Sequence, residues 1–380
     1  FFYNRCNYRM IIKSRNYTPG FFVYIKLNRI ISEAAMFDTK FFPGAMKFWH
    51  MGTIYDWNST HIHVMSHVVH YGSSVFEGIR AYNTPMGPAV FRLKDHLDRF
   101  FYSAEVLSMK VPYTLDEILD VIKMVMRENK LRAAYIRPNL FYGYGNLGLV
   151  PKACPVELTV GCWAWGAYLG EDALEKGVHT LLLSRRRVHP SQLDMRAKVG
   201  GIYAQSNIAG KYARDLGFDE AIFLNLEGRI AEGPGENIII VKDKLIKTND
   251  ENESILPGIT RSTILTIAAD LGYDTEISPI TVEELFKADE VFFTGTAAEV
   301  TPITLVTDGR DTRRDQTKWK HYTIGSGKPG PITRQLAQRY AEVVRGVVPE
   351  YEDWLTYVYD SLEEAEADLG ETVSENANKF

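Results

Sequence analysis

Residues 195–206 read MRAKVGGIYAQS, and the role of Lys198 in that stretch decides how the rest of the chain is understood. A lysine just ahead of Gly200, Gly201 and a helix-like run can be an ordinary solvated charge at a loop end. It can also be an amine aimed at a reactive carbonyl. Such an amine needs rigid backbone and little bulk nearby, and glycine permits that close approach. A K-x-G-G motif alone does not separate the two, so the rest of the sequence has to.

The chain has 380 residues, 45% hydrophobic and 12% aromatic, with a net charge of −5. That length holds two domains of about 100–200 residues each, and the composition is that of a packed globular protein. Mild acidity gives no reason to expect a nucleic-acid or membrane partner. The apolar stretch GFFVYIKLNRII is broken by Lys26, Asn28 and Arg29, well short of the ~18 uninterrupted apolar residues of a spanning helix. Cys6, Cys154 and Cys162 form no C-x-x-C pair, which points to a reducing, cytoplasmic setting. Residues 1–46 form an extension of uncertain status. In 1–35, Arg5, Arg9, Lys13, Arg15, Lys26 and Arg29 face the single acid Glu33. That balance is like a transit peptide, but with only Ser14 and Ser32 and little amphipathic order, a translation start at Met36 or Met46 is the plainer expectation.

Mixed strands with segregated helices predict an α+β fold. A small domain is expected over 47–164, with a strand in AYIRPNLFYGY and a helix in LDEILDVIKMVMREN that Thr114 caps. WGAYLGEDALEKG, 165–177, is the expected interdomain loop. A large domain follows over 178–346, including a hairpin in EAIFLNLEGRIAEGPGENIIIVKDKLIKT. Beyond Gly346 an acidic tail, 347–380, reads as a surface helix with a frayed end.

No P-loop, H-E-x-x-H, G-x-S-x-G or paired-cysteine motif is present. His61, His63, His67 and His70 cluster, but no nearby cysteine or carboxylate completes a metal site. Packing and the polar face of a strand are expected there instead, with no metal. Three other segments bear on Lys198. LPGITRST, 256–263, places Pro-Gly before a helix whose first N–H groups, at Ile259 and Thr260, would face an anion. TGTAAE, 294–299, offers Thr296 and Ala297 as further donors. Glu232 lies in a turn with Gly233 and Gly235, where a carboxylate could meet a ring nitrogen or simply be solvated. A capped helix, a tight strand exit and a solvated turn remain the plain alternatives.

The ordered set HVMSHVVHYGSSVFEGIRAY, HLDRF, AYIRP, WGAYLG, AKVGGIY, AEGPGENI, LPGITR and FFTGTAAEVTPI resembles the class IV (fold type IV) pyridoxal-phosphate aminotransferases. Within them it is most similar to the bacterial branched-chain amino acid aminotransferases. The resemblance covers about residues 47–346 and leaves the first 46 residues and the acidic tail without a counterpart.

It implies a two-domain fold with pyridoxal 5'-phosphate at the domain interface. Lys198 would carry the cofactor as a Schiff base and shuttle the proton, Glu232 would pair with the pyridine nitrogen, and Tyr203 would bond the 3-oxygen. Arg99 would hold the phosphate with Ile259, Thr260 and Thr296, and Leu256 would complete the cofactor site. Thr296, Ala297 and Tyr135 would take the substrate α-carboxylate, and Arg137 the distal carboxylate of glutamate or 2-oxoglutarate. Phe76, Tyr71, Trp165, Tyr168 and Leu149 would wall the apolar pocket, some from a partner subunit, while Arg80 orients its neighbours. The implied reaction is reversible, ping-pong transfer of an amino group from L-leucine, L-isoleucine or L-valine to 2-oxoglutarate. The implied assembly is a homodimer or hexamer. D-amino acid aminotransferase and aminodeoxychorismate lyase are the alternatives within the fold. A catalytically silent cofactor-binding protein on this fold is disfavoured because Lys198, Glu232, Tyr203 and Arg99 are all present.

Overall fold

Strands buried on both faces send alternate side chains into two different cores, and that happens at the centre of this chain. The computed structural model describes residues 41–59, 61–166, 169–170, 172–311 and 315–370. The extension up to residue 40, Tyr168 and residues 371–380 lie outside them.

The first sheet is built from β1 (Lys47–His50), β2 (Thr53–Asp56), β3 (Ser74–Phe76), β4 (Ile79–Thr84), β5 (Gly87–Phe91), β6 (Ala134–Tyr142) and β7 (Val156–Trp163). Helix α1 (His67–Tyr71) precedes β3, while α2 (Leu93–Val106) and α3 (Leu115–Glu128) lie between β5 and β6. Ala81 and Val90 enter a core under α2 and α3, whereas Tyr82, Ala89 and Phe91 enter a second core shared with the other sheet. Thr114 and Glu117 close a capping box on α3, worth about 1 kcal/mol. Ile118, Ile122 and Val125 then bury one stripe of the helix.

The second sheet comprises β8 (Val178–Arg186), β9 (Glu220–Leu224), β10 (Asn237–Lys242), β11 (Leu245–Thr248), β12 (Thr275–Ile277), β13 (Glu290–Gly295), β14 (Glu299–Gly309) and β15 (Lys320–Thr323). Its order is β12-β11-β10-β13-β14-β8-β9, with β15 on β14. Around it lie α4 (Ala173–Lys176), α5 (Tyr203–Asp215), α6 (Ile259–Asp270), α7 (Val282–Lys287) and α8 (Pro331–Val344). A mixture of parallel and antiparallel pairs with segregated helices is the α+β class expected.

Three expectations need correction. The 220–248 segment is not one hairpin. β10 and β11 do pair through Asp243 and Lys244, both at positive φ, but β9 lies at the far edge, parallel to β8. It turns at Asn225–Arg229 and bonds back to Ile230–Glu232, with the Phe223 N–H donating to the Glu232 carbonyl at 2.9 Å.

The tail holds more than the surface helix expected. β16 (Leu355–Tyr357) extends the first sheet beside β5, and Val358, Tyr359 and Ala365 enter its core. Helix α9 (Leu362–Leu369) follows, and its Glu364 pairs with Arg127 of α3 at 3.0 Å.

Finally, His61 and His63 lie on no strand. His63 packs on Tyr144, and the His67 Nδ1 and Nε2 are bonded to the Ser73 hydroxyl at 2.7 Å and the Gly148 carbonyl at 3.1 Å. No helix among the described residues is long and apolar enough to cross a membrane.

Candidate active site

Lys198 sits where the two sheets touch. Its carbonyl accepts from the Phe76 N–H at 3.2 Å, and its own N–H donates to the Ser103 hydroxyl at 2.9 Å. Val199 bridges Val75 of β3. Gly200 and Gly201 make that approach possible: a Cβ on Gly200 would lie 2.2 Å from the Ser74 Oγ, and one on Gly201 3.3 Å from the Gly72 carbonyl oxygen. Their missing side chains therefore admit the 72–74 segment against the backbone beside Lys198. The amine emerges into a cleft and donates to the Tyr203 hydroxyl at 2.7 Å.

Arg99, Tyr135, Tyr203, Glu232, Leu256, Ile259, Thr260, Thr296 and Ala297 line the same cleft as Lys198. Phe76 lies beside it, its ring 4.9 Å from the Lys198 amine and packed on Tyr203. Arg137 stacks over Phe76 and donates to the Tyr135 hydroxyl at 2.9 Å. Trp165 packs on Tyr135, and Arg80 donates to the Trp165 carbonyl. Tyr71 and Leu149 do not join them: Leu149 is 80% exposed, and the Tyr71 hydroxyl donates to the Leu147 carbonyl.

Several residues beyond the motif set shape the site. Arg187, 5% exposed, pairs with Glu232 at 2.8 Å and donates to the Ser206 hydroxyl. The other Glu232 oxygen accepts from the Leu256 N–H at 3.0 Å and the Asn237 amide at 3.3 Å. Burial pushes the Glu232 carboxyl above its ordinary range, opposed by Arg187, the Leu256 N–H and Lys198. Glu77, with no exposed side-chain surface, accepts twice from Arg99 and is backed by His96 at 2.8 Å. Burial acts to raise that carboxyl, but Arg99 and His96 prevail and hold it well below the carboxylate range. His96 and Arg99 share one face of α2 at i, i+3 spacing, which was a readable signal. Arg187 closes a run of three arginines that reads as a solvated strand exit.

The N-cap of α6 is Gly258, with no side-chain cap on the helix start. The first N–H groups of the helix are thus left for an anion. Thr294, also on the cleft, holds a buried hydroxyl with no partner, an arrangement that calls for a polar ligand.

A family model described as amino-transferase class IV matches residues 74–306. The chain belongs to the class IV aminotransferase family. It is 44% identical to the branched-chain-amino-acid aminotransferase of Pseudomonas aeruginosa, over 82% of this chain and 96% of the relative. A crystal structure of the T.th. branched-chain amino acid aminotransferase with pyridoxamine 5'-phosphate superposes with a TM-score of 0.77 at 44% identity, covering 83% of this chain and 99% of the other. The same enzyme complexed with N-(5'-phosphopyridoxyl)-L-glutamate gives 0.76 at 42%, again over 83% and 99%. As a class IV aminotransferase, the chain has its family's fold type and places its amine, buried carboxylate and uncapped helix on one cleft.

Proposed function

We propose that the chain is a branched-chain amino acid aminotransferase using pyridoxal 5'-phosphate, with L-leucine, L-isoleucine or L-valine as donor and 2-oxoglutarate as acceptor. The observation that carries this is the convergence on one cleft of Lys198, Tyr203, the Arg187-backed Glu232, Arg99 and the uncapped start of α6.

The residues fit the cofactor. Arg99 and the Ile259 and Thr260 N–H groups suit a phosphate, and the unpartnered Thr294 hydroxyl adds a donor beside Thr296. Glu232 suits a protonated ring nitrogen, Tyr203 a ring oxygen, and Leu256 fixes Glu232 through its N–H. When bound, the cofactor supplies an electron sink for the pair left at the substrate Cα. Lys198 is the group that takes the Cα proton and returns it, guided by the Tyr203 hydroxyl 2.7 Å away. Arg187 opposes the upward push of burial on Glu232 and so favours the anionic form that can hold positive charge on the ring.

The wall of Phe76, Tyr135 and Trp165 suits an aliphatic side chain, worth roughly 1.5–3 kcal/mol when buried. Arg137 at its edge, whose buried Nε has no partner, suits the distal carboxylate of the acceptor. Thr296 and Ala297 suit the α-carboxylate, and Tyr168 belongs to the same expected wall. Tyr71 and Leu149 fit a homo-oligomer. Tyr71 ends α1 and Leu149 stands on the segment between β6 and β7, and the apolar residues Val64, Leu149 and Val150 of these regions face solvent, surface that a second copy would cover. Sedimentation reads this, and a monomer counts against it. The free thiols Cys154 and Cys162 suit a cytoplasmic location. The two sheets are proposed as the two domains, with β16 carrying the tail back to the first.

Two measurements test this reading. A half-reaction with L-leucine and none with D-alanine, followed by cofactor absorbance, separates it from a D-amino acid aminotransferase. Arg137→Ala is expected to raise KM for 2-oxoglutarate about a hundredfold and that for L-leucine less than about threefold; equal losses would refute the Arg137 role.

A further inference from the structure

The turn 294–299 ends on Glu299, a residue with a side chain at φ +51°. That left-handed region disfavours any residue but glycine, so something must hold Glu299 there. Two groups from β4 on the other sheet do so: the Arg80 guanidinium at 3.1 Å and the Tyr82 hydroxyl, which donates to Oε1 at 2.8 Å. Residues 80 and 82 face the same side because strand side chains repeat every two residues. The Tyr82 hydroxyl also meets that of Tyr340 at 3.4 Å. Arg80 is shared: its Nη2 donates to the Trp165 carbonyl at 3.1 Å. One carboxylate thus ties the Thr296–Ala297 turn to the segment bearing Trp165.

We propose that Glu299 is a positioning residue that sets amino acid affinity, holding the Thr296–Ala297 turn and, through Arg80, the Trp165 segment in register. The proposal rests on the reading of Thr296 and Ala297 as the α-carboxylate site. Glu299 itself touches no reacting atom, so its loss acts on substrate binding rather than on proton transfer.

The test uses the cofactor-loaded protein and three variants. Glu299→Gly removes the carboxylate while relieving the backbone, Glu299→Gln keeps an acceptor for Tyr82 but drops the charge, and Tyr82→Phe removes one hydroxyl. The amino acid is whichever the unaltered protein consumes, L-leucine or D-alanine. An unaltered protein that prefers D-alanine refutes the branched-chain function without touching this proposal. Glu299→Gly is expected to raise KM about tenfold with kcat within about threefold, and with cofactor affinity unchanged. Glu299→Gln and Tyr82→Phe raise KM about threefold and serve as the test if the glycine variant does not fold. An unchanged KM in the folded variants overturns the proposal. So does a fall in kcat at constant KM, or a parallel loss of cofactor affinity, which would mark a general structural role.

Discussion

Glu236 lines the cleft beside Glu232, almost without exposure. Burial, together with like charge from Glu220 and Glu232, pushes it up to about 8 from an ordinary 4.5. Between those values the folded chain holds a proton that the unfolded chain has released, so stability falls as pH rises. Glu77 behaves oppositely: its depressed pKa contributes stability above the ordinary 4.5, lost as pH falls below it. Glu236→Gln should flatten the decline across that window and raise stability at about pH 8 by on the order of 1 kcal/mol or more. Urea midpoints at about pH 5 and about pH 8 check this, and an unchanged pH slope would contradict it. Lys198 stood out in the sequence because glycines and a helix-like run follow it, but its role, like that of Tyr203, was implied only by the family resemblance. Arg187 and Glu236 were not. A charge in an arginine run or a glycine turn looks solvated until the fold shows that the chain turns back on β9 and buries the segment carrying Glu232.

The start of α6 is the clearest case of one element serving the site. Gly258 is needed less for its backbone freedom than for its missing side chain: a Cβ there would lie 2.0 Å from the Asn237 Oδ1. Asn237 donates to Glu232 and to the Leu256 carbonyl, so a shift would reach the carboxylate and the anion site together. Gly258→Ala should therefore weaken cofactor binding at least about tenfold, read by titration of the apo protein; unchanged affinity would count against the anion role of this helix. The Pro-Gly before a helical run made this start readable. The place of β9 was not readable, because parallel pairing with β8 is set by a connection through α5, and short-range pattern carries no record of it.

At the scale of the molecule, the two sheets are bound together by the core that Tyr82, Ala89 and Phe91 share with Ile239, Phe292 and the face of α8. The acidic tail belongs to this assembly, since β16 closes the edge beside β5 and Leu355 enters the shared core. Removing residues 355–380 should lower Tm by several degrees or abolish folding, because it uncovers a strand edge and several buried apolar side chains; an unchanged Tm would contradict this. Charge alone hid the tail's role, its acids being numerous and its few apolar residues spaced for one strand and one short helix. The general α+β class and the cleft motifs were legible from patterning and resemblance, whereas the tie between sheets depends on long-range packing. The central claim, that Lys198 carries the cofactor and moves a proton from a branched-chain amino acid, is tested by one absorbance titration. The purified protein with pyridoxal phosphate should show a visible band that L-leucine bleaches and that Lys198→Ala lacks; a colourless protein, or a band indifferent to L-leucine, would contradict it.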